Sequence, residues 1–205
     1  MRLLLHACCG PCSLEPVRLL TAAGHDVTIA NINPNIQPRA ERIKRAETLS
    51  DAMAAQGIDV IQVDMDPAIW ERSVAPLGMS DDRRCRACYA VRFEEAARIA
   101  GEKDAALSTT LSVSPYQDTE GISLTLRNAG SRTDVDVRDL NLRPWYEEAT
   151  RISREDGLYR QNSCGCRYSA ARSVMDRARF RDERKQRKLV ARMERRGAAS
   201  GSVRS

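Results

Sequence analysis

Seven cysteines in 205 residues fall into three tight groups: Cys8, Cys9 and Cys12; Cys85 and Cys88; Cys164 and Cys166. Structural thiols usually bury singly, whereas thiols at chelating spacing hold a metal or exchange electrons. Cys85-Arg86-Ala87-Cys88 is a C-x2-C, which lets two thiolates reach one tetrahedral centre or close a redox disulfide. With Cys8 and Cys9, four sulfurs are available for one centre, either zinc or an iron-sulfur cluster. Zinc sites favour two C-x2-C knuckles, and an adjacent pair at a strand mouth is an awkward knuckle, which tilts the set toward a cluster. Cys9-Gly10-Pro11-Cys12 has a rival reading as a thioredoxin-type dithiol, with a first thiol of lowered pKa at a helix N-terminus. Against it, the motif follows the first strand directly and carries an extra cysteine at its front. Cys164-Gly165-Cys166 is a C-x-C whose glycine allows the small strained ring of a reducible disulfide. Two further metal ligands is the alternative, and the sulfurs available elsewhere favour a redox pair.

These groups need elements to hold them. The apolar run Arg2 to His6 stops at the first cysteines, and a helical pattern follows through Val17, Leu19 and Leu20. Val27 to Ile32 reads as a second strand, Pro38 opens a charged helix to about Gln56, and Ile58 to Val63 reads as a third strand. A fourth is expected over Asp104 to Ser108. Alternating strands and helices predict an α/β domain with a parallel sheet in three layers, whose ligands sit beyond the strand carboxyl ends. There the cysteine loop, Asn33-Pro34-Asn35 and TTLSVSP are expected to meet. Asp82 to Gly101 predicts a loop leading into a helix with Cys85 and Cys88 at its first turns, and Asp82 reads as its cap or as a candidate acid near Cys85. Gln117 to Asn128 and Trp145 to Glu155 read as helices, as does the long basic stretch Tyr168 to Arg196, and GAASGSVRS has the composition of a disordered end. The expected division is a catalytic domain over 1–171 and a basic helical tail over 172–205.

The composition, 42% hydrophobic against 30% charged, suits a globular protein, and no stretch of eighteen apolar residues or signal peptide is read in it. A reducing cytoplasm is the expected compartment, where clustered thiols imply metal or catalysis and not a disulfide framework. Net charge is +5, yet residues from Arg172 onward carry 12 Lys and Arg against 4 Asp and Glu, or +8, which leaves −3 for the rest. Such a concentration reads as a phosphate-backbone contact or as a solvated helix. A radical-SAM cysteine triplet fails at Glu15, and neither a Walker A motif nor a Ser-Gly-Gly loop is present. His6, just before Cys8, reads as a core histidine or as a proton donor near a metal.

Five ordered blocks, LLLHACCGPCS, NPNIQPRAERIKR, RCRACYAVRFEEAA, TTLSVSPYQD and DGLYRQNSCGCRYS, resemble the QueH-type epoxyqueuosine reductases over the chain to about Arg172. The resemblance implies an adenine-nucleotide-hydrolase-like α/β fold and an oxidoreductase that removes the epoxide oxygen of epoxyqueuosine at the tRNA wobble position. It also implies a 4Fe-4S cluster held by Cys8, Cys9, Cys85 and Cys88, with Cys12 near the metal as a ligand to an additional iron. Cys164 and Cys166 are then the pair that relays electrons from an unidentified donor. Tyr116 and Gln117, in the loop after the fourth strand, are candidates for contact with the modified base, and Arg160 and Arg167, flanking the C-x-C, for phosphate. Arg42 stands where the family has an aromatic and Ser163 where a tyrosine is usual, departures that touch no expected ligand. Two readings from other classes remain beside this one: a metal-free thiol-disulfide oxidoreductase using Cys9 and Cys12, and a zinc-stabilised RNA-binding module.

Overall fold

The computed structural model describes residues 1–78, 80–179, 181–183 and 186. The chain divides into two compact units, Met1–Gln161 and Asn162–Ser205, and the sequence-based limit at residue 171 lies inside the second.

The first unit is built on four parallel strands, β1 (Arg2–Ala7), β2 (Asp26–Ile32), β3 (Val60–Val63) and β4 (Ala106–Thr109), in the spatial order β3-β2-β1-β4. Helices α1 (Leu14–Ala22), α2 (Arg39–Ala54), α3 (Pro67–Val74) and α4 (Asp81–Glu102) make the crossovers, and α5 (Thr119–Thr133) and α6 (Tyr146–Glu155) follow β4. Parallel strands are buried on both faces, which is why β1 reads as a continuous apolar run. The period of two sorts that run into two cores. Leu3, Leu5, Ala7, Val27, Ile29 and Ala106 pack against Leu14, Val17 and Leu20 of α1 and Leu49, Ala52 and Met53 of α2. Leu4, Ala30, Ile32 and Leu107 face the other way, onto Tyr89, Phe93, Ala96 and Ala100 of α4 and Ile122, Leu126 and Ala129 of α5. The expected three-layer α/β architecture is therefore present. On the outer side of β4, the Leu107 amide donates to Asp136 O and the Arg138 amide to Leu107 O, so residues 136–138 cover the sheet edge.

Two local expectations change. Helix α3 was not anticipated, although its start is signalled: Pro67 occupies the first turn and the Asp66 carboxylate accepts from the Ala68 amide at 2.9 Å. Asp82 is not a cap, because α4 begins one residue earlier and Ser80 occupies the cap position. Of the basic helix expected over Tyr168 to Arg196, residues 167–179 and 181–183 are helical. Residue 186 is helical as well, and the rest, with the tail end expected to be disordered, lies outside the described residues.

Candidate functional site

β1 and β4 are neighbours in space, while β2 and β3 lie on the far side of β1. The winding therefore reverses between β1 and β4, and at such a switch point the loops leaving the two carboxyl ends diverge around a crevice. The loop after β1 carries Cys8, Cys9 and Cys12, and the segment after β4 carries Thr110–Val113, Tyr116 and Gln117. The Asn33 Nδ2 amide donates to Ala7 O at 2.9 Å, tying the loop after β2 to the end of β1. At Gly10 the cysteine loop runs so close to α2 that a Cβ there would stand 3.0 Å from the Thr48 carbonyl oxygen.

The Cys8 and Cys9 sulfurs are 3.9 Å apart, and the Gln161 side-chain amide donates to Cys9 Sγ at 2.8 Å. The Cys9 bond and burial push the Cys8 thiol well up, and the Cys12 thiol pushes Cys9 up to about 12. That is the reverse of what a thioredoxin-type nucleophile needs, and the motif ends before α1 begins at Leu14. Nothing in the site favours the metal-free dithiol reading.

Along α4, Cys85, Cys88, Tyr89 and Arg92 recur at spacings of three, four and seven, so they share one helical face. Cys8 and Cys85 both pack against the apolar cluster between the sheet and α4 and α5. The Arg92 guanidinium is 4% exposed, donates to Ile32 O at 3.3 Å and Asn33 Oδ1 at 2.7 Å, and has no carboxylate partner among the described residues. Its charge acts on His6, Cys8 and Tyr89, which places positive potential beside the thiols. The donors suit a soft cation, since protonated buried thiols accept a metal in exchange for their protons. Among the described residues no three His, Cys, Asp or Glu side chains are already gathered as a ligating set. One thiol of each pair, Cys8 and Cys85, borders the same apolar cluster.

His6 is fully buried; Nε2 donates to Ile32 O at 3.2 Å, leaving Nδ1 to accept from the Thr109 hydroxyl at 3.0 Å. Burial, and then Arg92, hold its pKa well below the ordinary value. Of its two expected readings the neutral core histidine is the one observed. The Tyr89 hydroxyl, its pKa pushed up by burial and by Cys85 and Cys88, donates to Gln117 Oε1 at 2.8 Å. That bond occupies Gln117 Oε1 and leaves its NH2 as the group able to donate, while Arg143 holds the same loop through Ser114 O and Gln117 O. Tyr116 is 85% exposed, edge-on to Tyr146 at 6.3 Å. Arg160 is half-buried at the end of the first unit.

In the second unit the Cys164 and Cys166 sulfurs are 3.6 Å apart, and Gly165 between them has φ +104°, a backbone state that favours glycine. The Cys164 thiol donates to Ser169 Oγ at 2.9 Å, and the Ser169 amide donates to Cys166 Sγ at 3.4 Å. Arg167, exposed, lies over the Tyr168 ring. All seven cysteines are described and none is in a disulfide. Arg92, Tyr89, Gln161 and Ser169 were missed in the sequence. For the first two the signal was there, in the helical spacing from Cys85 and Cys88.

A family model described as epoxyqueuosine reductase QueH matches residues 3–172, a span that takes in all three thiol groups. The chain belongs to the QueH family. It is 35% identical over 176 residues to the epoxyqueuosine reductase QueH of Histophilus somni, covering 82% of this chain and 72% of that protein. The Haemophilus influenzae QueH is 32% identical over 197 residues, covering 92% and 78%. A solved structure described as a predicted subunit of tRNA methyltransferase from Methanocaldococcus jannaschii aligns with a TM-score of 0.46 at 14% identity, covering 77% of this chain and 90% of its own. The QueH match stops at residue 172, so the strongly basic tail lies beyond it.

Proposed function

We propose that this chain is an epoxyqueuosine reductase acting on the wobble nucleotide of tRNA. Two electrons and two protons enter, the epoxide oxygen leaves as water, and the cyclopentane ring gains a double bond. The observation that carries this reading is the family match over residues 3–172, which spans all seven cysteines. We assign Cys8, Cys9, Cys85 and Cys88 to a 4Fe-4S cluster and Cys12 to an additional iron. The bound cluster supplies electrons and a Lewis-acidic iron. Gln117, oriented by Tyr89, offers its NH2 to the ring hydroxyls or the base, and exposed Tyr116 offers an aromatic face. Arg160 and Arg167 are assigned to phosphate. Cys164 and Cys166 pass electrons inward from an external donor of thiol type. The cytoplasm is the natural compartment for a tRNA-modifying reductase, and no described helix is long and apolar enough to cross a membrane.

The test is protein purified anaerobically, together with Cys85→Ala. Broad visible absorption from thiolate-to-iron charge transfer and stoichiometric iron and sulfide are expected in the parent, and both the colour and the turnover of epoxyqueuosine tRNA are lost in the variant. Full turnover by a colourless Cys85→Ala protein would overturn the cluster assignment.

A further inference from the structure

The C-x-C is asymmetric, and the asymmetry is built by the helix that follows it. The Ala170 amide donates to Cys166 O at 2.9 Å and the Ser169 amide to Cys166 Sγ at 3.4 Å. Cys166 therefore occupies the cap position of the helical residues 167–179, with its sulfur on one of the amides that a helix N-terminus leaves without an intrahelical acceptor. Cys164 lies outside that helix. Its S–H is donated to Ser169 Oγ, and the same hydroxyl donates onward to Cys166 O at 3.1 Å. Ser169 thus meets the two cysteines in opposite senses, accepting a proton bond from Cys164 and donating one to Cys166.

Helix-terminal amides and the partial positive charge of the helix end stabilise an anion at Cys166, whereas Cys164 lies outside the helix and keeps its proton in the bond to Ser169 Oγ. Cys166 is lowered to about 5, first by its bond with Cys164 and then by Ser169, while the bond with Cys166 and burial push Cys164 well up against a smaller lowering by Ser169. The titratable and charged neighbours on this segment are Cys164, Arg167 and Tyr168, and the Arg167 guanidinium is turned over the Tyr168 ring.

Building on the assignment of Cys164 and Cys166 as an electron-relaying pair, we propose that Cys166 is the standing thiolate and leaving group, that Cys164 is the sulfur attacked by the reductant, and that Ser169 is the positioning residue that keeps these roles apart. The exchange balances as follows. One thiolate of an external dithiol attacks Sγ of Cys164, the Cys164–Cys166 bond breaks, and its electron pair leaves on Cys166. The second thiolate of the donor then attacks the donor's own sulfur in the mixed disulfide. Cys164 departs, takes up a proton from solvent, and settles on Ser169 Oγ. The donor is oxidised to a disulfide and the pair is reduced by two electrons.

The test is pulse alkylation of the reduced full-length protein between pH 4 and 9, with labelling read separately at each cysteine by mass spectrometry. At pH 6 Cys166 is expected to label at least tenfold faster than Cys164. Ser169→Ala is expected to move the Cys166 midpoint up by about one pH unit, a tenfold loss of thiolate at pH values below the midpoint. Ser169→Thr, which keeps the hydroxyl, restores it. A purely structural role for Ser169 would change yield or melting without moving that midpoint. Equal labelling of the two cysteines, Cys164 labelling first, or an unmoved midpoint in Ser169→Ala would each overturn the inference. The relay itself is tested apart from this: full dithiol-dependent turnover by both Cys164→Ser and Cys166→Ser would remove the pair from the electron path, whatever the labelling order.

Discussion

The buried residues around the cysteine loop differ in what they do with charge. His6 is buried neutral between the Thr109 hydroxyl and the Ile32 carbonyl. Its folded pKa is depressed below the unfolded value of about 6.5, so an unfolded chain takes up the proton first, and the stability it contributes is present above about pH 6.5 and lost as pH falls below it. Denaturant unfolding between pH 7.5 and 5 should show that decline, and His6→Gln should lose about 1–3 kcal/mol at pH 7.5 while flattening the slope. An unchanged slope in the variant would assign it to other groups. Arg92 is the opposite case, a permanent cation buried where only carbonyl oxygens receive it among the described residues. Its neutral replacement Arg92→Gln is expected to weaken iron retention about tenfold in a chelator titration, the size of one pKa unit of electrostatic support, with Arg92→Lys closer to the parent. Equal retention in all three proteins would show that the charge serves packing alone.

At the scale of elements, two constraints place the thiols: the sharp departure of the chain from β1 and the single face of α4. The first depends on Gly10, because an added Cβ meets Thr48 O at 3.0 Å and its methyl at 3.3 Å, so the α2 backbone or the loop would have to give by a few tenths of an ångström. Gly10→Ala should therefore lower stability by about 1–3 kcal/mol and iron content with it, measured by melting and by metal analysis of the same preparation. Normal values for both would show that the loop does not depend on that close approach. The α4 face was legible in the sequence, because Cys85, Cys88, Tyr89 and Arg92 obey helical spacing whatever surrounds them. α3 was not read although Asp66 and Pro67 mark its start, since eight residues make about two turns, too short for a helical period to stand out.

For the whole molecule, charge is divided along the chain, −3 over residues 1–171 and +8 from Arg172 onward. An acidic net charge over residues 1–171 repels a phosphate backbone outside the contacts assigned to Arg160 and Arg167, so most of the long-range attraction for tRNA should reside in the tail. Removing residues 173–205 is expected to make the log-log dependence of tRNA affinity on salt shallower by nearly one unit for each phosphate that the tail neutralises. An identical slope for the truncated and full-length proteins would take the tail out of the interface. The strand order adds a second property of the first unit: the winding reverses between β1 and β4 because β2 and β3 were laid down on one side of β1 before the chain returned to the other.

Local periodicity was enough to give the four strands and the helix carrying the C-x2-C, because residue type and spacing act over a few residues. What only the folded chain decided are relations between residues distant in sequence. The Gln161 amide on Cys9, the Tyr89 hydroxyl orienting Gln117, and Arg92 beside His6 and Cys8 each join residues about thirty to over a hundred and fifty positions apart. Such pairs are set by strand order and by which face of each strand a side chain leaves, and a one-dimensional pattern carries neither.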